Sequence, residues 1–185
     1  GRRVLLFDNL SRPGVEYNFE WLKAEYGNRV QLQVGDMRDR LALRWALRNA
    51  RQVYHFAAQV AVTTSVDRPG EDFEVNAQGT FNLLEELRRM DDPAKVLFTS
   101  TNKVYGDLAD VPLRLKGERY EPKDPSTRAN GVSEARSLDF HSPYGCSKGT
   151  ADQYVLDYCR TYGIPAVVFR MSCIYGPHQF GNEDQ

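Results

Sequence analysis

Two residues four positions apart could act together as a base. Tyr144 and Lys148 lie in the segment Asp139-Phe-His-Ser-Pro-Tyr-Gly-Cys-Ser-Lys-Gly149. On a helix, residues with this spacing lie one above the other on the same face, so the phenol would be close to the ammonium group. A fixed positive charge favours the phenolate, and we expect Lys148 to lower the pKa of Tyr144 toward the working pH. The same spacing is common on solvated helix faces, so the pair needs support from the rest of the chain.

The residues around the pair carry the signals of a helix. Ser142 can cap the helix N-terminus, and Pro143 suits the first turn because it lacks an N–H group that would be unpaired there. The pattern continues to Tyr162, and Gly163 follows as a typical helix end. The sequence therefore predicts a helix over residues 143–162 that carries both Tyr144 and Lys148.

Short apolar runs alternate with helical patterns along the chain. The runs are typical of buried parallel strands and lie at residues 4–7, 30–34, 53–56, 95–100 and 166–169. Further helices are predicted over 19–26, 41–47 and 73–89, a long polar loop beside the active site over 107–141, and a loop over 170–185. This alternation predicts an α/β fold with a doubly wound parallel sheet. In the third helix we expect core packing from Phe81, Leu83, Leu84 and Leu87, and in the third strand from His55.

Polar and small residues follow several predicted strands, at the edge where ligands bind in open α/β sheets. Asp8 could bind the 2′- and 3′-hydroxyls of an adenosine ribose, although Asp-Asn pairs are also common in turns. Arg12 would suit a 2′-phosphate, but Asp8 would repel that group, so we favour NAD over NADP. The other residues at this edge are Asp36, Ala57, Ala58, Gln59, Ser100 and Thr101.

Composition narrows the function classes. The chain has 185 residues and a hydrophobic content of 41%, which indicate one soluble domain. Its net charge of −1 gives no reason to expect binding to nucleic acid or to an anionic membrane. No apolar run is long enough to span a membrane, and the N-terminus does not resemble a signal peptide. Cys146, Cys159 and Cys173 lack metal-ligand spacing, so we expect no metal site and reduced thiols in the cytoplasm. Cys146 is predicted to pack rather than to act as a nucleophile.

An ordered set of motifs resembles the extended short-chain dehydrogenases/reductases, which include nucleotide-sugar epimerases and dehydratases. The motifs are Phe7-Asp-Asn-Leu10, Gly35-Asp-Met-Arg38, His55-Phe-Ala-Ala58, Asn76-Ala-Gln-Gly-Thr80, Ser100-Thr-Asn-Lys-Val-Tyr-Gly106, Ser142-Pro-Tyr-Gly-Cys-Ser-Lys148 and Phe169-Arg170. They cover essentially the whole chain. Within this family, the segments 100–107 and 139–149 resemble those of the CDP-paratose 2-epimerases.

The resemblance implies roles for individual residues. Tyr144 would be the base that takes the proton of the sugar hydroxyl, Lys148 would bind the nicotinamide ribose, and Thr101 would hydrogen-bond the reacting hydroxyl. Asp8 and Asn9 would hold the adenosine ribose. The remaining implied cofactor contacts are Ser11, Arg12, Asp36, Met37, Phe56, Ala57, Ala58, Gln59, Asn76, Ser100, Tyr144, Lys148 and Met171.

The family resemblance also implies a cofactor, a reaction and partners. NAD would oxidise one ring carbon of a nucleotide-linked sugar to a ketone, and hydride would then return to the opposite face. That carbon is C2 in the paratose subgroup, which serves lipopolysaccharide biosynthesis, and C4 in UDP-galactose epimerases. Relatives usually form homo-oligomers through helices such as those over 73–89 and 143–162. The alternatives are a UDP-sugar 4-epimerase or another nucleotide-sugar oxidoreductase, and a non-catalytic NAD-binding protein.

Two departures from the family pattern change these expectations. Asn102 and Lys103 occupy the positions where sugar 4,6-dehydratases have an Asp-Glu pair, so dehydration is disfavoured. The Gly-rich loop that precedes the first helix of the family is not found, and the chain opens with residues that match the second strand. We therefore expect a partial NAD-binding Rossmann-type domain over 1–185, with a gap in its sheet and without most of the C-terminal substrate domain.

Overall fold

Strands and helices alternate along the chain, as the apolar runs predict. The computed structural model describes residues 2–179. Its strands are Val4–Asp8 (β1), Val30–Val34 (β2), Gln52–His55 (β3), Lys95–Thr101 (β4), Leu113–Lys116 (β5), Arg119–Pro122 (β6) and Ala166–Met171 (β7). The five predicted strands are all confirmed, with ends shifted by no more than two residues. The expected C-terminal loop begins after Met171, and residues 180–185 lie outside the described part.

The helices match the predictions less closely. They are Val15–Tyr26 (α1), Arg40–Leu47 (α2), Val62–Asp67 (α3), Pro69–Phe73 (α4), Gly79–Arg88 (α5), Pro125–Asn130 (α6) and Ser142–Tyr162 (α7). A π-helical turn, Glu74–Gln78, joins α4 to α5, so the helix predicted over 73–89 begins earlier and is interrupted. α3 was not predicted, because β-branched valine and threonine have low helix propensity. Within residues 2–179, no helix combines the length and apolar character needed to cross a membrane.

The parallel strands form two separate sheets. β1 pairs with β2 from Val4 opposite Val30 to Asp8 opposite Val34. β4 lies between β3 and β7 and is parallel to both. Among the described residues no strand connects β1 to β3, which is the gap expected from the family pattern. The α/β class with parallel strands is confirmed.

The segment 107–141 contains more structure than the predicted loop. β5 and β6 form an antiparallel hairpin, and Gly117 in its turn has a φ of 63°, which favours glycine. Polarity is inverted on this hairpin: Leu115 and Tyr120 are exposed, whereas Glu121 is buried against Arg114 at 2.6 Å. The prediction of a loop over the whole of 107–141 was wrong, because this pattern lacks the usual buried apolar face of a strand.

The hydrophobic core lies between the three-stranded sheet and the helices α2, α5 and α7. The predicted core residues Leu83, Leu84 and Leu87 are confirmed, with at most 2% exposure, and Phe81 packs at the edge of the core. His55 is buried, which confirms it as a core residue, and its Nε2 lies 2.8 Å from Thr80 Oγ1. The other buried core residues are Met37, Leu43, Leu47, Ala94, Val96, Phe98, Ala151, Val155, Tyr158 and Ile164. This packing fixes α7 against β4.

Candidate active site

Thr101, Tyr144 and Lys148 meet where β4 ends beside the first turns of α7. The Thr101 side chain faces the phenol of Tyr144 and favours its ionised form. Lys148 is only 4% exposed, and its Nζ donates to the Thr99 carbonyl at 2.6 Å. The same Nζ lies 4.4 Å from the centroid of the Phe98 ring, which is a cation–π contact. The structure thus brings the three predicted catalytic residues together.

The electrostatics of the pair differ from the expectation. Burial raises the pKa of Tyr144, and the hydrogen bond with Thr101 opposes that rise. The predicted lowering of the Tyr144 pKa by Lys148 is wrong for this structure, because the ammonium is directed at the Thr99 carbonyl and because loss of solvent dominates at the phenol. Burial also lowers the pKa of Lys148 to about 8, against the opposing charges of Asp152 and Asp72.

The start of α7 is held by short contacts of the preceding segment. Ser142 has a φ of 62°, and its Oγ accepts the N–H of Gly145 at 3.2 Å, so it caps the helix as predicted. A Cβ at Gly149 would overlap the ring of Phe140, which lies directly against the helix backbone. The close approach therefore requires glycine at position 149. It fixes the segment before α7 against the turn that contains Lys148.

Asn76 connects the loop after β3 to α7. Its Oδ1 accepts the backbone N–H of Gln59 at 2.9 Å, and its Nδ2 lies 3.0 Å from the Gln59 carbonyl oxygen. The same Nδ2 lies 3.1 Å from both Asp72 Oδ1 and Ser147 Oγ. Asn76 was predicted to contact the cofactor, but the protein itself uses both ends of its amide. The structure gives this residue the role of holding Gln59 and Ser147 in place.

Asp36 lies at the opposite end of the predicted ligand edge and is held by two side chains. Arg38 donates to both carboxylate oxygens, at 2.9 and 2.8 Å, and Asn9 Nδ2 donates to Oδ2 at 3.0 Å. These contacts keep the pKa of Asp36 well below its ordinary value, with the Arg38 hydrogen bond as the largest cause. Asp8, predicted to bind ribose, is exposed and accepts only the N–H of Leu10 at 2.8 Å among the bonds that the structure shows for its side chain.

The remaining predicted cofactor residues fall into three environments. Met37 is buried in the core, where its Cβ lies close to Gly79, and its contact with the adenine stays a prediction. Ser100 is also buried, and within residues 2–179 its Oγ has no hydrogen-bond partner. The others are exposed or half-buried near the strand ends: Ser11, Arg12, Phe56, Ala57, Ala58, Gln59 and Met171. Arg12 lines a cavity with Asn18 and His178, away from the Tyr144–Lys148 pair.

Sequence reasoning missed four supporting side chains. Asp72 and Ser147 bind each other beside Asn76, and Asp152 pairs with Arg170 behind Lys148. Asp72 precedes Asn76 by one helical turn, and Asp152 follows Lys148 by one turn, so helical spacing was the available signal. Cys146, predicted to pack, is exposed, with its Sγ 3.9 Å from the Phe140 carbonyl oxygen. Among the described residues, no group of three His, Cys, Asp or Glu side chains is arranged to hold a metal ion.

Comparisons with known proteins fit this geometry. Residues 1–183 match the family model of GDP-mannose 4,6 dehydratase. The CDP-paratose 2-epimerase of Salmonella typhi is 45% identical over 100% of this chain and 54% of its own length. The chain spans about half the length of the relatives that it matches.

Two solved structures extend the comparison. The dTDP-glucose 4,6-dehydratase DesIV from Streptomyces venezuelae, a double mutant with NAD bound, superposes with a TM-score of 0.76 and 30% identity over 96% of this chain and 48% of that one. The UDP-glucose 4-epimerase of Thermus thermophilus in complex with NAD gives a TM-score of 0.67 and 30% identity over 90% and 46% of the two chains.

Proposed function

Because the chain belongs to the GDP-mannose 4,6-dehydratase family of extended short-chain dehydrogenases/reductases, we propose that the full-length protein is an NAD-dependent nucleotide-sugar epimerase. The observation that carries this proposal is the convergence of Thr101, Tyr144 and the buried ammonium of Lys148 at the end of β4. The proposed substrate is CDP-paratose, epimerised at C2 to CDP-tyvelose, because the chain is 45% identical to a CDP-paratose 2-epimerase.

In the proposed mechanism, Tyr144 takes the proton from the sugar hydroxyl, while Thr101 orients that hydroxyl. Lys148 supplies a donor for a ribose hydroxyl of the cofactor. Because Lys148 is buried and Tyr144 is half-buried, charge–dipole interactions between them and the substrate are stronger than in solvent. When bound, NAD would supply the hydride acceptor and donor at the ring carbon, and Tyr144 would return the proton to the oxygen as the hydride comes back on the opposite face.

The ligand edge has groups that suit a dinucleotide. The buried Ser100 Oγ has no partner among residues 2–179, and a ligand at the end of β4 could satisfy it. At the other end, the exposed carboxylate of Asp8 suits a ribose diol. Arg38 is engaged by Asp36 and also lies 3.4 Å from Glu74, and this concentration of carboxylates disfavours a 2′-phosphate. We therefore propose NAD rather than NADP.

An epimerase is favoured over a dehydratase despite the name of the family model. Water elimination needs an acid and a base beside the reacting carbon, and dehydratases of this family use carboxylates after the threonine. Here Asn102 Oδ1 lies 3.4 Å from Thr101 Oγ1, and Lys103 is exposed. Neither side chain can act as a carboxylic acid or carboxylate base. The intact Thr101–Tyr144–Lys148 set likewise favours an enzyme over a non-catalytic NAD-binding protein.

We also propose that the protein forms a homo-oligomer through α5 and α7. Phe81 and three tyrosines form a continuous aromatic strip across these helices, with ring centroids 4.7–6.3 Å apart. Tyr154 and Tyr162 in this strip are 42% and 48% exposed. Aromatic side chains that are partly exposed are enriched at protein interfaces. A second copy of the chain is the proposed partner of the strip.

The cellular setting is a further proposal. The three cysteines are free thiols in the structure, which suits a reducing cytoplasm. A role in lipopolysaccharide biosynthesis stays a prediction, since it follows only from the proposed CDP-sugar substrate.

The proposed activity is tested by incubating the full-length protein separately with CDP-paratose and UDP-galactose and following the ring couplings by proton NMR. We expect inversion at C2 of the CDP sugar without net consumption of added NAD. Inversion at C4 of the UDP sugar alone would retain the chemistry of Tyr144 and Lys148 but reject the proposed substrate. Absence of turnover with both sugars, in a protein that binds NAD, would favour the non-catalytic alternative.

A further inference from the structure

We propose that Asp72 is a positioning residue for the Tyr144–Lys148 pair and that it acts through Ser147. The kinetic part of this inference rests on the proposed function, whereas the structural part does not. Asp72 lies in α4, far from α7 in the sequence, and has no solvent exposure. Neither the motifs in the sequence nor the comparisons assign it a role.

The contacts of Asp72 connect it to the turn between Tyr144 and Lys148. Its Oδ2 accepts a short hydrogen bond from Ser147 Oγ, and its Oδ1 accepts from Asn76 Nδ2 at 3.1 Å. Ser147 Oγ also lies 3.2 Å from the Tyr144 carbonyl oxygen. Ser147 directly precedes Lys148 and is three residues after Tyr144. The carboxylate therefore fixes the helical turn that carries both proposed catalytic side chains.

A structural role alone does not account for a carboxylate at this position. Burying a charged group is costly unless hydrogen bonds and an opposite charge compensate for lost hydration, and an apolar residue of similar size would fill the same space. Burial raises the pKa of Asp72, and the hydrogen bond from Ser147 and the charge of Lys148 each oppose that rise. The opposite charge that favours the carboxylate form is that of Lys148, whose ammonium is proposed to act in catalysis.

Few titratable groups face Lys148. Asp72 faces it from α4, Asp152 from its own helix, and His55 from β3. Burial lowers the pKa of His55 to about 3, so this ring is neutral at physiological pH. Asp152 forms an ion pair with Arg170 of β7, and this guanidinium offsets the charge of the Asp152 carboxylate. Among the ion pairs of the described residues, none joins Asp72 to an arginine. Asp72 is therefore the carboxylate near Lys148 whose charge no arginine offsets.

Three variants of the full-length protein test the inference. Asp72→Asn removes the charge at nearly constant volume, and Ser147→Ala removes the connecting hydroxyl but keeps the charge. Glu86→Gln is the matched control, because Glu86 is a buried carboxylate in α5 that is held by Arg40 and Arg44 instead of facing Lys148. The titration of Lys148 is followed by NMR of 13C-labelled lysine, with Lys148→Arg to assign its signal, and kcat and KM are measured with CDP-paratose.

In Asp72→Asn we expect the pKa of Lys148 to fall below that of the wild-type protein and the alkaline limb of the kcat profile to move to lower pH. In Ser147→Ala we expect the Lys148 pKa to be retained, and kcat to fall on the order of ten- to hundredfold with little change in KM, because the reacting groups lose their fixed geometry. Glu86→Gln should leave the Lys148 pKa and kcat unchanged.

The inference is overturned if Asp72→Asn leaves the Lys148 titration unchanged in a folded protein. Should Asp72→Asn fail to fold, Ser147→Ala decides the matter: unchanged kcat would reject the positioning role, and the expected loss with retained KM would support it. If no variant, wild type included, turns over the sugar, a lowered Lys148 pKa in Asp72→Asn still supports the coupling. In that case the proposed substrate fails and the electrostatic role of Asp72 stands.

Discussion

Asp152 of α7 and Arg170 of β7 form a two-point ion pair, with Nε 2.9 Å from Oδ2 and Nη2 2.9 Å from Oδ1. The carboxylate is fully buried, and the arginine side chain is 14% exposed. Arg170 Nη1 also donates to the hydroxyl of Tyr105 at 2.9 Å. The pair holds α7 against the sheet one helical turn beyond Lys148.

Removing one member of this pair should be strongly destabilising. In Arg170→Met the buried Asp152 carboxylate loses its partner, and we expect the free energy of unfolding to fall by roughly 3–5 kcal/mol in urea denaturation. The double variant Arg170→Met with Asp152→Leu leaves no unpaired charge and should recover much of that loss. A double variant less stable than Arg170→Met would contradict this account of the pair.

Replacing Tyr144 with phenylalanine removes the proposed base and little else. We expect kcat for the sugar nucleotide to fall by roughly 100- to 10,000-fold, while loss of the hydrogen bond with Thr101 costs about 1 kcal/mol of unfolding free energy. Tyr154→Phe is the matched control, because Tyr154 lies on the same helix but is 42% exposed and outside the site. Normal turnover in Tyr144→Phe would reject the mechanism.

The depressed pKa of Lys148 predicts opposite effects of alkaline pH on activity and stability. The pKa is about 8 in the folded protein and 10.5 ordinarily, so between these values the unfolded chain binds more protons and the contribution of Lys148 to stability rises with pH. The ammonium proposed to donate to the cofactor ribose is lost over the same range, so NAD binding, and with it kcat/KM, should fall above about pH 8.

Two variants isolate these effects. The difference in unfolding free energy between wild type and Lys148→Met, followed from neutral to strongly alkaline pH, reports the contribution of the lysine. Lys148→Arg stays charged, so any residual activity should lack the decline near pH 8. If wild-type activity instead stays constant from neutral pH to well above pH 8, the charge state of Lys148 does not control the reaction.

The sequence was sufficient to predict those parts of the structure that a local pattern of residues determines. Apolar runs placed the five parallel strands, because a strand buried on both faces has few alternatives. Helical spacing placed Tyr144 and Lys148 on one helix, and strand ends placed Thr101 beside them. The expectation of a gap between β1 and β3 came from the family pattern rather than from local physics.

The missed features depend on long-range contacts. Asp72 and Ser147 are separated by 75 positions, so only the packing of α4 against α7 brings them together. The raised pKa of Tyr144 comes from burial, which the i, i+4 spacing does not report. The burial of Met37 also depends on a long-range contact, since the packing of α5 at Gly79 takes its side chain into the core.

The carboxylate of Asp8 should control the choice between NAD and NADP. Loss of its hydrogen bonds to the ribose in Asp8→Ala should weaken NAD binding by roughly ten- to hundredfold in calorimetric titration. The same change removes the repulsion of a 2′-phosphate, so the affinity for NADP relative to NAD should rise. Glu16→Gln, an exposed acid on the neighbouring α1, should change neither affinity. Unaltered NAD affinity in Asp8→Ala would place the ribose elsewhere.

A single methyl group at position 149 should disturb the start of the catalytic helix. In Gly149→Ala the new Cβ overlaps the Phe140 ring, so we expect a loss of about 1–3 kcal/mol of unfolding free energy from overpacking, although alanine favours helix. Gly145→Ala is the matched control in the same helix, because a Cβ there meets its nearest neighbours at 3.6 Å, an ordinary contact. Combining Gly149→Ala with Phe140→Leu should restore part of the loss, since the smaller side chain can move away. Equal stability of Gly149→Ala and Gly145→Ala would mean that Phe140 does not constrain α7.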